Sequence, residues 1–180
     1  MPNKINLSSK EKRLALLRKE LFPAVRDDEL WSRLHDGYAS VPRCLPLFLE
    51  VIDEASKKAS SSGKATPAGR TYLALWCRVG DASIVKVASE KALAFEAGYA
   101  GERAVHTWRE HMRVLAALGF IQFAPGAEGD FATVVVLNPY QACARLAAKG
   151  WIDPRLKNVL DERKAEVGDN SFPAWDLEAE

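Results

Sequence analysis

Arg103, His106 and Arg113 fall on one side of a helix when residues 102–118 are stepped at 100° per residue, with Glu110 among them. Glu102 and Arg109 lie nearer the edges of that side, and Thr107 flanks it. The opposite side gathers Val105, Trp108, Met112, Leu115, Ala116 and Gly119. An arginine fork pairs with two acceptors at once, whether phosphate oxygens or O6 and N7 of a guanine. Lys86 and Lys91 flank the preceding segment and offer ammonium groups to a phosphate backbone. Ser89 stands where it can cap a short helix whose first amides point outward. A mixed arginine and glutamate surface is also what a solvated helix face looks like. Glu102 and Glu110 are close enough along the helix to pair with Arg103, His106 or Arg113. A protein-binding face is the third reading of the same residues.

Other chemistry finds little support. His35, His106 and His111 are scattered, and the last two are five residues apart, off the i,i+4 spacing of a helical zinc pair. Cys44, Cys77 and Cys143 form no Cys-x-x-Cys pair and sit in apolar neighbourhoods, so buried thiols are expected. There is no Gly-x-Gly-x-x-Gly, no Gly-Lys-Ser/Thr loop and no Gly-x-Ser-x-Gly elbow. Trp31, Trp76, Trp108 and Trp151 occupy apolar positions in helical patterns, where packing accounts for them. The expectation is a protein without metal or cofactor, and not an enzyme.

The chain of 180 residues is 48% hydrophobic and 27% charged, as ordinary globular proteins are. Its net charge of +1 conceals a division. Residues 1–65 carry a net +3, residues 66–125 a net +2 and residues 126–180 a net −4. The segment holding the arginine face is therefore mildly cationic, and the acidic excess belongs to the C-terminal part. No apolar run reaches the length of a membrane span, and the first residues lack an apolar leader core, so a cytoplasmic protein is expected.

The elements that must carry these residues can be placed from periodicity and punctuation. Ser8-Ser-Lys-Glu11 reads as a capping box opening a helix with Leu14, Leu17 and Leu21, ended by Phe22-Pro23. A second helix is expected over residues 24–35 with Val25, Leu30, Trp31 and Leu34 on one side, and a third over 42–58 with Leu45, Phe48, Leu49 and Ile52. Residues 59–66 are small and polar and read as a linker between an N-terminal helical region, 1–58, and the domain that begins at residue 67. Then come a helix over 67–79, burying Tyr72, Leu75, Trp76 and Val79, and a brief strand over 83–88. A helix over 89–97 is expected to pack Leu93, Phe95 and Ala92. Gly98-Tyr-Ala-Gly101 makes a turn into the helix of 102–118. Strands at 120–124 and 131–137 flank a hairpin turn. Asn138-Pro139 and Asp153-Pro154 open two C-terminal helices over 139–168, and residues 169–180 read as a flexible acidic tail.

Helix, short strand, helix, turn, helix, hairpin over residues 67–138 resembles the winged helix-turn-helix superfamily. So does the exit Leu115-Ala-Ala-Leu118-Gly119-Phe120-Ile121 from the long helix into the hairpin. The resemblance implies an α+β, mostly helical protein: a winged helix-turn-helix with additional N- and C-terminal helices. It implies double-stranded DNA as partner, with the arginine face of residues 102–118 in the major groove. Arg103 and His106 would then meet base edges, Arg113 a phosphate, and Thr107 either one. The role implied is that of a bacterial transcription regulator, or of a replication or maintenance factor of a plasmid or other mobile element. The alternative is a module that keeps this fold and binds a protein. The hairpin turn Gly126-Ala-Glu-Gly-Asp130 carries two carboxylates and no cation, so the wing is expected to be short or to contact something other than DNA. The apolar stripes of the flanking helices exceed what so small a core covers, which implies a homodimer through the N- or C-terminal helices.

Overall fold

The computed structural model describes residues 9–26, 30, 39–59 and 64–168. The chain divides into two units, residues 1–38 and residues 39–180. In the first, α1 (Ser9–Leu21) is the regular element, and its side chains Leu14, Leu16, Leu17 and Leu21 are exposed. The capping serine Ser8 lies outside the described residues. The helix expected over 24–35 does not begin at residue 24, because residues 23–25 form a turn and bend after α1. Most of its remaining length lies outside the described residues, as do residues 60–63 of the linker and the acidic tail.

The second unit is α+β and mostly helical. Its order is α2 (Leu45–Ala59), α3 (Gly69–Trp76), β1 (Ile84–Lys86), α4 (Glu90–Glu96), α5 (Ala104–Ala117), β2 (Ile121–Gly126), β3 (Gly129–Val136), α6 (Pro139–Ala148) and α7 (Pro154–Glu166). Short polar side chains fix several helix starts. Ser89 Oγ accepts from the Ala92 amide at 3.2 Å. Asn138 Oδ1 accepts from Tyr140 N at 2.9 Å, and Asp153 Oδ1 from Arg155 N at 2.7 Å. In the last two cases a proline comes next, where the missing N–H costs nothing. The start of α3 is held from another helix: Asp53 Oδ1 of α2 accepts from Gly69 N at 2.7 Å.

The three strands form one antiparallel sheet in the order β1-β3-β2. Val85 stands opposite Val134, and Val134 opposite Phe123, so alternate residues turn one face of the sheet toward the helices. Trp108, Tyr72, Phe48, Phe120, Phe131, Leu93, Met112 and Leu115 are fully buried and make the centre of the core. Trp108 meets Phe131 edge-on at 5.5 Å between ring centroids, which seats α5 against the hairpin.

Three expectations about burial are corrected: Ala92, Phe95 and Cys77 are all exposed. Phe95 is 74% exposed. Helix α4 turns Glu90, Leu93, Ala94 and Ala97 inward, and Phe95 projects from the opposite side of so short a helix. Cys77 is exposed, while Cys44 and Cys143 are buried. At 100° per residue it falls with the exposed Arg70 and Leu73 on the outer side of α3.

Candidate nucleic-acid interface

Helix α5 has one buried and one open side. Trp108, His111, Met112 and Leu115 are buried, whereas Arg103, His106, Glu110, Arg113 and Ala117 are exposed. The exposed set is spaced three, four, three and four residues apart, so it forms one continuous stripe. His106 Nε2 lies 3.3 Å from Glu110 Oε1, with both side chains more than half exposed. The Arg113 guanidinium stands 5.7 Å over the Phe131 ring, which draws it toward the hairpin. Arg103 is the residue before the first helical turn and makes no side-chain cap, and that turn contains no acidic residue. The leading amides of α5, which no helical carbonyl can satisfy, therefore share their end of the helix with a cation.

The turn before α5 is built for close approach. Gly98 has φ +84°, and a Cβ there would collide with the Arg70 guanidinium. The next residue, Tyr99, brings its hydroxyl to 2.6 Å from His111 Nδ1 and 2.8 Å from Thr71 Oγ1. The two rings meet edge-on with centroids 5.0 Å apart. With the imidazole neutral and its proton on Nε2, Thr71 donates to Tyr99 and Tyr99 donates to His111. Three elements, α3, the turn and α5, are thereby tied at one buried point. Burial lowers the His111 pKa below the ordinary histidine value, and the nearby Glu110 opposes that shift only in part.

Arg109, on the edge of the exposed stripe, has its guanidinium engaged. Its Nε donates to Glu90 Oε2 at 2.8 Å, and its Nη2 lies 2.6 Å from the same oxygen. Thr107 is half-buried on the flank of the helix. Ser89 and Lys91 are both exposed at the beginning of α4, and the Ser89 hydroxyl is engaged in its cap. Lys86 belongs to β1 and donates to Thr133 Oγ1 of β3 at 2.9 Å. Thus α5 carries His106, Thr107, Arg109 and Arg113, with Arg103 at its N-cap; the start of α4 adds Ser89 and Lys91, and Lys86 stands apart on the sheet.

The hairpin closes through two residues, Ala127 and Glu128, between the paired Gly126 and Gly129. Its register shifts near Pro125, which has no N–H to give to the ladder. Glu128 and Asp130 are exposed, so the tip is short and acidic.

No known family model, curated protein or solved structure matches this chain. Among the described residues no cluster of histidine, cysteine, aspartate or glutamate could hold a metal ion, and no helix is long and apolar enough to cross a membrane.

Several residues of this region escape a reading of the sequence. Glu90 and Arg109 are 19 residues apart and meet only because α4 packs across α5. Thr71 and Tyr99 lie on different elements, and no local spacing pairs them with a histidine. For His111 a signal did exist. It falls three residues after Trp108 and four before Leu115, on the packed side of the helix.

Proposed function

We propose that residues 67–138 form a winged helix-turn-helix and that the protein binds double-stranded DNA with the outer stripe of α5 in the major groove. The observation that carries this reading is the stripe itself: Arg103, His106, Glu110 and Arg113 exposed in line on a helix whose other side is locked into the core. Two of the four are permanent cations. Arg103 and His106 lie toward the N-terminal end, where a recognition helix meets base edges, and Arg113 is placed for a phosphate. Lys91 at the start of α4 extends the positive surface. Strand β1, paired to β3, fastens the segment before α4 to the hairpin after α5 and leaves the groove-facing side of α5 uncovered. The role is regulation of transcription, or replication and maintenance of a plasmid-like element. Exposed leucines on α1 supply a face for a second copy, which would double the cationic surface.

A second reading, a protein-binding module, draws support from the acidic hairpin tip and from exposed Phe95. Fluorescence anisotropy with a mixed-sequence duplex, repeated across a salt series, separates the two. A DNA binder loses affinity log-linearly with salt, and Arg103→Ala and Arg113→Ala each reduce the slope by about one. Absence of binding at low salt, or a slope indifferent to both changes, defeats the DNA reading.

A further inference from the structure

Glu90 is a carboxylate in an unusual place. It is the first residue of α4 and only 9% exposed, although glutamate is rarely buried without a partner. Its Oε2 accepts from Arg109 Nε and lies 2.6 Å from Nη2 of the same guanidinium, while Oε1 is buried with no hydrogen-bond partner. Oε1 lies against the hairpin, where a Cβ on Gly129 would stand 3.4 Å from it. Gly129 has φ +123°, a conformation that side chains rarely adopt, so the hairpin keeps this approach open with a glycine. Arg109, in contrast, is 44% exposed. One buried carboxylate thus links α4, α5 and the hairpin while holding an arginine that reaches the surface.

We infer that Glu90 is a specificity-determining positioning residue: it holds Arg109 at the edge of the α5 stripe so that this arginine reads sequence and not merely charge. The inference rests on the DNA-binding reading above. A guanidinium with two nitrogens fixed on one oxygen keeps its plane, and its remaining Nη1 donors point in a set direction. The carboxylate also cancels the charge, and Asp130 of β3 adds a further attraction to the same guanidinium. A neutral, rigid donor group displaces few counterions from DNA and therefore contributes little to salt-dependent affinity. What it contributes is discrimination, because a wrongly placed acceptor leaves its fixed donors unpaired. Arg103 and Arg113 differ in this respect, since neither has a carboxylate bonded to its guanidinium among the described residues.

The test uses the full chain, a mixed-sequence duplex and a pool of duplexes enriched by the wild-type protein from a randomised library. Thermal melting first establishes that each variant is folded. Glu90→Gln is expected to steepen the salt slope on the mixed-sequence duplex by up to about one, because Arg109 is released toward phosphate. The preference for the enriched pool should fall by about tenfold. Glu90→Asp, which keeps the charge, should retain the wild-type slope. Should Glu90→Gln fail to fold, Arg109→Ala decides: it should lose the preference for the enriched pool while leaving the salt slope unchanged. The inference is overturned if folded Glu90→Gln matches wild type in slope and preference, or if Arg109→Ala flattens the slope as Arg103→Ala does. In either of those cases the duplex is still bound, so the DNA reading survives. If the wild-type protein ignores the duplex at low salt, both fall together.

Discussion

The His111 ring is packed edge-on to Tyr99 and accepts a hydrogen bond from its hydroxyl, an arrangement suited to a neutral imidazole. Protonation there sacrifices hydration, and Glu110 on the neighbouring position returns only part of the cost. The folded pKa therefore lies below the unfolded value of about 6.5. Below that value the unfolded chain takes up a proton that the folded chain resists, so stability declines as the pH falls through it and levels off below the folded pKa. Melting curves should show a lower Tm at about pH 5.5 than at about pH 7.5, and His111→Gln should remove part of that difference. The Glu96 carboxylate, held low by its bond to Arg78, loses its contribution only in the more acidic carboxylate range, so the two effects separate. Tyr99→Phe deletes the donor to His111 and should cost about 1 kcal/mol in denaturant unfolding. An unchanged unfolding curve would mean that this bond does not hold the turn. The packed position of His111 was legible from Trp108 and Leu115, but its partners were not, because a turn tyrosine and a helix threonine carry no mark of the histidine they serve.

Most elements were legible because their boundaries have local causes. Asn138-Pro139 and Asp153-Pro154 each bring a capping oxygen and a residue that starts a helix without needing a hydrogen bond. Asn138→Ala should therefore destabilise the protein by about 1 kcal/mol, measured by chemical denaturation. A neutral result would show that α6 is held by packing alone. The phase of α5 was readable because fourteen residues present four turns of alternating apolar and charged sides. Trp108 anchors that phase against Phe131, and Trp108→Ala should cost about 3–5 kcal/mol. Helix α4 has seven residues, too few turns to fix its orientation from pattern, and the misplacement of Phe95 results from that. The exposure of Cys77 was within reach of the pattern, since it stands seven residues after Arg70 and four after Leu73, on the outer side of α3.

At the scale of the molecule, the pairing of β1 with β3 joins residues some fifty positions apart, and no turn signal encodes it. The charge division was readable, and its spatial consequence is a cationic stripe on α5 beside an acidic hairpin tip. The exposed leucines of α1 are where we propose that a second copy docks, and this has a direct test. Replacing Leu14, Leu17 and Leu21 together by serine should shift sedimentation from dimer toward monomer, and an unaltered profile would remove α1 from any self-association. A heteronuclear NMR titration of the full chain with a mixed-sequence duplex tests the proposed DNA-binding surface residue by residue. Amide shifts should concentrate at Arg103, His106, Thr107, Glu110 and Arg113, with Lys91 beside them, and leave α7 unmoved. Shifts confined to Phe95 and the hairpin tip, or no shifts at low salt, would contradict it.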